Sequence, residues 1–329
     1  MLVYIIISYF YILNKAYYIR TAVDFLKLML YTLNVLYNKF ARKRKMKLGI
    51  VFEGGASRTI FSCGVMDVLL EENIIADMVI GTSAGIAFGV SYASLQKERN
   101  LHLAAEYMGD KRYMGIRHLF NPKNRSFYNM QFVYDDVPNI HLPFDWEAFK
   151  NFKGDVIGVC TNVETGKAEY LPVSRTDRTF PVLRASCALP IIFPFINIDG
   201  TDYLDGGIAD SIPYKYAFDQ GCDKVIVVLT RERGYVKHTG KSVKLAEKLY
   251  KKYPKLVRAM DERAENYNKQ VEELRTLERD GKAFVIEPVT TMGVKRTEGK
   301  PSRLLPLYNH GVSVAKDNIN ALKSYLKDS

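Results

Sequence analysis

The chain has 329 residues, enough for one large α/β domain or two smaller ones, and its 47% hydrophobic content supports a sizeable core, which excludes a disordered or fibrous protein. Its net charge of +11 is unevenly divided: residues 1–47 carry nine basic and one acidic side chain (+8), residues 48–230 sixteen and twenty-two (−6), and residues 231–329 twenty-two and thirteen (+9). Basic flanks around an acidic body suit an anionic membrane surface, no motif points to nucleic acid, and Cys63, Cys160, Cys187 and Cys222 stand too far apart for a zinc site or a disulfide framework, so a reducing compartment is expected.

The first thirteen residues, MLVYIIISYFYIL, are apolar but fall short of the ~20 that a bilayer crossing needs. They lack a basic n-region and an A-x-A cleavage site, so no signal peptide is expected. Thr21 to Tyr37 reads as an amphipathic helix and leads into the basic cluster RKRKMK at 42–47. Three readings of residues 1–46 stand side by side. They form a membrane-associated anchor that keeps the main domain at the cytoplasmic face, or a packed extension, or translation starts at Met46.

From residue 47 a second domain is expected, running to 329. Leu48 to Phe52 is apolar without alternation, the mark of a strand covered on both faces. Gly54, Gly55, Ala56 and Ser57 then form a loop whose N–H groups are little obstructed, ahead of an amphipathic helix over about 60–72. A strand over 77–80, the pentapeptide GTSAG and a helix over about 84–95 follow. This alternation predicts an α/β fold with a mainly parallel central sheet and helices on both faces. Residues 109–153, rich in aromatics, Asn, Pro and charge, predict an irregular excursion over the sheet edge that shapes a substrate mouth. A strand over 155–163 returns to the sheet, with a hairpin at 164–166 leading into KAEYLPV, and KVIVVLT at 224–230 is another buried strand. Charged helices are expected over 241–280, an edge strand over 283–288 and a closing helix over 308–326.

MVIGTSAG has the form strand, then Gly81-Thr82-Ser83-Ala84-Gly85, then helix. In a nucleophile elbow the serine stands at a sharp strand-to-helix turn, the flanking glycines let strand and helix pass closely, and the helix N-terminus favours a developing alkoxide. A serine at such a place also serves as an N-cap. As a nucleophile it needs a base, and His102, His118, His141, His238 and His310 have no distinctive setting. Asp205 does: it ends a short strand and precedes Gly206 and Gly207, so another loop can approach it closely, and a partly desolvated carboxylate is the stronger base. The Asp-Gly pair is also a common β-turn.

Four stretches in order resemble the patatin-like phospholipase family: EGGASR its glycine-rich oxyanion loop with a basic residue, GTSAG its elbow, ASCALPIIFP (185–194) its small-residue and proline block, and DGG (205–207) its aspartate motif. Together they span about 47–215, the motif-bearing core of a patatin-like domain. The resemblance implies a Ser–Asp dyad with Ser83 as nucleophile and Asp205 as base, an oxyanion hole from Gly54, Gly55 and Ala56, and support from Arg58, Gly81, Gly85, Gly206 and Gly207. It implies no metal and no cofactor, and a lipid ester substrate met at a membrane surface. The aromatic excursion and the basic C-terminal helices would face that surface. Two positions depart from the pattern. The third loop glycine is Ala56, which offers its N–H but resists positive φ, and the glycine usual after the basic residue is Thr59.

Other roles stay open at this level. Arg58 steadies the loop, meets a lipid phosphate, or pairs at the surface with Asp67, Glu71 or Glu72. Ser186 and Cys187 fill tight space beside the elbow. Asp210 supports the dyad or caps the helix after Pro213. Three functional rivals accompany the lipid acyl hydrolase: an α/β-hydrolase triad of Ser83, Asp205 and His238 or His310; a nucleotide site at 54–57, although GxGxxG and GxxxxGK[ST] are both missing; and a catalytically silent lipid-binding protein.

Overall fold

The computed structural model describes residues 27, 29–32, 46–122, 125–240 and 242–327. The chain divides into two compact units, Met1–Lys45 and Met46–Ser329, and the sheet lies in the second. The anchor, extension and late-start readings of residues 1–46 fall outside the described residues, apart from a helical stretch at 27 and 29–32. Among the described residues no helix is long and apolar enough to cross a membrane.

One sheet holds β1 (Leu48–Phe52), β2 (Met78–Thr82), β3 (Asp155–Asn162), β4 (Ala168–Pro172), β5 (Ile196–Ile198), β6 (Thr201–Asp205), β7 (Lys224–Val228) and β8 (Ala283–Ile286). Bonded neighbours run β5-β6-β3-β2-β1-β7-β8, and β4 also pairs with β3. The central pairs β3–β2, β2–β1, β1–β7 and β7–β8 are parallel, while β4, β5 and β6 add antiparallel pairings. Helices cover both faces, which is why the core strands need no polar alternation. Ile50 and Phe52 of β1, Val79 of β2 and Ile226 and Val228 of β7 point into one apolar core. Val51, Ile80, Val225 and Val227 point into the other.

The helix after the glycine loop, α1 (Ile60–Glu71), is not amphipathic as expected: every residue from Ile60 to Leu69 is buried. The cause is the C-terminal helix α3 (Pro301–Lys327), which covers the face that would otherwise meet water. A Cβ on Gly64 would lie 2.2 Å from the Tyr308 carbonyl oxygen, and one on Gly311 would lie 2.0 Å from that of Phe61, so the two backbones touch where neither helix has a side chain. Tyr308 Oη donates to buried Asp67 Oδ2 at 2.5 Å and Lys323 pairs with Glu72, so two of the acidic groups considered for Arg58 are already engaged. That helix also starts seven residues before the expected 308. Pro301 suits a first turn, and Leu304 and Leu307 are fully buried, so packing holds the helix through Pro306.

The excursion between α2 (Ala84–Ala93) and β3 is more helical than expected, with a wide-turn helix at Phe132–His141 and an α-helical turn and a half at Trp146–Asn151. Phe132, Tyr134 and Val137 turn inward from it.

Candidate active site

Strand register brings the two leading candidates together. β2 pairs with residues 155–159 of β3 and β6 with 160–162, while β4 spans 157–161 and so occupies the opposite edge. β2 and β6 therefore run toward each other along one edge of β3, ending opposite Val159 (Thr82) and Cys160 (Asp205). Ser83 leaves β2 at that junction. Its Oγ donates to Asp205 Oδ2 at 2.6 Å, while Asp205 Oδ1 accepts from the Gly207 N–H at 2.8 Å. Thr161 Oγ1 and the Ala188 carbonyl fasten the Asp205 backbone. Asp205 is buried and Ser83 half-buried. A carboxylate at this distance is placed to accept the hydroxyl proton as attack proceeds.

Ser83 adopts φ 55°, ψ −131°, a conformation costing about 1–3 kcal/mol for a residue with a side chain. The flanking glycines permit it: a Cβ on Gly85 would sit 2.1 Å from the Phe52 carbonyl oxygen, and one on Gly81 2.6 Å from the Ile86 nitrogen. Ser186 holds the turn from beside it, accepting from the Ser83 N–H at 2.8 Å and donating to the Val159 carbonyl at 2.7 Å. It is thus a hydrogen-bonded strut, more than the space-filler expected from its small size.

The glycine loop lies against this turn. A Cβ on Gly54 would be 2.8 Å from Ser83 Cβ, and one on Gly206 would collide with the Val159 carbonyl. The N–H groups of Gly54, Gly55 and Ala56 have no acceptor among the described residues. Ser57 pins the loop from behind, its N–H and hydroxyl both donating to the Arg296 carbonyl. Ala56 does take the positive φ it resists, at 50°. Ala56→Gly is therefore expected to stabilise the fold by about 1 kcal/mol, read as a Tm rise of a few degrees by calorimetry. A fall in Tm would show that the alanine methyl contributes packing that outweighs its strain.

Ser83 and Ala56 line two cavities at once. One encloses about 860 Å³, open mouth included, and is walled by apolar side chains such as Phe88, Leu103, Tyr113, Val133, Phe144 and Leu183. Much of that wall is the excursion, so those residues build the interior of a pocket. Cys187 also faces it. Burial pushes the thiol up to about 12, so beside Ser83 it stays a neutral group. The second cavity is polar and is lined by Glu53, the glycine loop, Asp205 and five basic side chains: Arg58, Arg231, Lys237, Arg263 and Arg296. Arg58 is buried there and forms no ion pair among the described residues, so the surface pairing with Asp67, Glu71 or Glu72 does not occur; Glu71 binds Lys97.

The family model described as patatin-like phospholipase matches residues 50–218, just over half of the sequence. The chain belongs to that family. Residues 253–327 of this patatin-like chain match a second model, described as a domain of unknown function (DUF6363). The uncharacterized protein YjjU of Escherichia coli K12 is 27% identical over 193 residues, 56% of this chain and 52% of that protein. The lysophospholipase nte1 of Aspergillus niger is 28% identical over 194 residues, 55% of this chain and 12% of its own length. The patatin-like chain thus spans about half of the first relative and a small part of the second. The crystal structure of VipD from Legionella pneumophila overlaps 84% of this chain and 67% of its own at 14% identity, with a TM-score of 0.47.

In this patatin-like site no histidine bonds Ser83 or Asp205 among the described residues. His310 Nε2 accepts from the Val289 N–H, His118 bonds the Lys111 carbonyl, and His102 meets Glu106. Asp210 does not cap the helix after Pro213. Its carboxylate accepts from Tyr170 Oη and Gln270 Nε2, while its carbonyl takes the Thr82 hydroxyl, tying β2 to the helix Pro254–Arg279 from outside the pair. Sequence reasoning missed the four basic residues beyond Arg58. One carried a signal: Arg263 lies three residues after Met260 and four before Tyr267, on the buried stripe of the helix Pro254–Arg279, where a charge is out of place.

Proposed function

We propose that the protein is a serine-dependent lipid acyl hydrolase acting on fatty-acyl esters of phospholipids or lysophospholipids through an acyl-enzyme. The observation that carries this reading is the 2.6 Å hydrogen bond from Ser83 Oγ to Asp205 Oδ2 at the junction of an apolar and a polar cavity. The acyl chain enters the apolar cavity. Asp205 takes the Ser83 proton as Oγ attacks the carbonyl carbon, and the oxyanion faces the N–H groups of Gly54, Gly55 and Ala56, at about 3 kcal/mol of transition-state stabilisation per donor. Asp205 returns the proton to the leaving alcohol. It then activates the water that releases the fatty acid. Family membership and relatives named as lysophospholipases support the substrate class.

The reading places the protein at the cytoplasmic face of a membrane. The exposed Ile116, Phe120 and Ile140 on the excursion supply apolar contact with lipid, and the basic cluster at 42–47 supplies attraction to anionic headgroups. A fluorophosphonate probe is expected to label the protein at Ser83, mapped by peptide mass spectrometry, with fatty acid released from lysophospholipid micelles by the same preparation. The double variant His238→Ala, His310→Ala is expected to keep that activity. Absence of label at Ser83 would favour a silent lipid-binding protein, and loss of activity in the histidine variant a triad.

A further inference from the structure

The polar cavity gathers more positive charge than the described residues neutralise. Arg58, Arg231, Lys237, Arg263 and Arg296 line it, against the carboxylates of Glu53 and Asp205. Glu53 is committed elsewhere, its Oε2 accepting from the Thr230 N–H at 2.6 Å and the Thr230 hydroxyl at 3.0 Å. Asp205 holds Ser83 and Gly207. Among the described residues none of the five cations has a carboxylate within ion-pair distance. Arg58 is only 6% exposed, and its Nε, like that of Arg263, is buried without a hydrogen-bond partner.

Arg58 is buried, Arg231, Lys237 and Arg263 are half-buried and Arg296 is exposed at the cavity's edge. A buried cation without a partner is costly, and the five repel one another across the cavity. Two are propped by aromatic faces: Lys237 Nζ lies 3.7 Å from the Tyr267 ring centre, and the Arg231 guanidinium 4.2 Å from that of Tyr235. The strain shows in their acidity. Burial, then Arg263, Arg296 and Arg231, push the Lys237 ammonium down to about 7, and burial with Arg231 and Arg296 brings Arg58 down to about 10. Two negative charges arriving between these groups would relieve both effects. The place is close to the reacting atoms: a Cβ on Gly207 would lie 3.0 Å from Asp205 Oδ1 and 3.1 Å from an Arg263 terminal nitrogen.

Taking Ser83 and Asp205 as the hydrolytic pair, we propose that this cavity is a phosphate subsite. It takes the phosphate of an acylated glycerol phosphate, one glycerol unit from the scissile ester, while the acyl chain occupies the apolar cavity. A terminal dianionic phosphate is preferred to a zwitterionic headgroup, because no unengaged carboxylate lines the cavity to receive a choline or ethanolamine cation. The region matched as a domain of unknown function thereby acquires a role, supplying Arg263 from its long helix and Arg296 from the segment whose carbonyl also anchors Ser57.

The test titrates full-length Ser83→Ala protein with three probes: 1-palmitoylglycerol 3-phosphate, 1-palmitoylglycerol and glycerol 3-phosphate. The first is expected to bind at least about tenfold more tightly than the second. Adding Arg263→Gln or Arg296→Gln should erase most of that preference, and Arg263→Lys, which keeps the charge, should retain it. Equal binding of the two lipids, or a preference untouched by the glutamine variants, overturns the subsite. Glycerol 3-phosphate binding as tightly as its acyl ester makes the ligand a soluble phosphate and overturns the lipid assignment. Hydrolysis of 1-palmitoylglycerol 3-phosphate by protein retaining Ser83 is measured separately, so binding preference without turnover would sink the hydrolase reading and leave the subsite standing.

Discussion

Asp205→Asn is expected to lower kcat/KM for a lysophospholipid by about 10⁴-fold or more, and Ser83→Ala by at least as much. The amide keeps an oxygen for the Gly207 N–H but presents no base to the Ser83 hydroxyl, so the bond at 2.6 Å loses its purpose while the fold keeps its support. In the proposed mechanism the two residues act as one unit, so the double variant should be no slower than the worse single one. Multiplicative losses would mean that they contribute separately. An asparagine variant within tenfold of the parent protein would remove Asp205 as the base and send the search to a water-relayed group. Melting temperatures within a few degrees of the parent would keep the comparison one of chemistry.

Gly311→Ala is expected to destabilise the protein by about 3 kcal/mol, although the same change in an exposed helix would stabilise by roughly 1 kcal/mol. The added methyl would lie 2.0 Å from the Phe61 carbonyl oxygen, a backbone atom that cannot turn away, so α1 and α3 must separate. Tyr308 would then be drawn off Asp67, leaving a buried carboxyl short of a donor. For a domain of this size the loss amounts to a fall in Tm of about 5 °C. An unchanged Tm would show that the helices can slide without cost. The separation should also disturb the segment that carries Arg296, so binding of phosphate-bearing lipid is expected to weaken with stability.

How much of this was legible in the chain depends on the reach of each signal. Strands β1, β2, β3 and β7, the hairpin into β4 and the edge strand β8 announced themselves through unbroken apolar runs and turn residues, which are local properties. The elbow glycines were legible for the same reason, since the sharp turn at Ser83 needs them within two residues on either side. The full burial of α1 was not, because its second cover comes from a helix some 240 residues further on.

The class of fold, the serine and the aspartate as candidates, and the loop of amides beside them were legible in local residue order. Long-range packing alone brings β2 and β6 end to end on β3, lines an apolar pocket with the aromatic excursion, and gathers cations from residues 58, 231, 237, 263 and 296 in one cavity. Charge carries no spacing rule along a chain. A run of arginines and lysines scattered over more than 200 positions acquires meaning only when packing puts them within reach of one ligand.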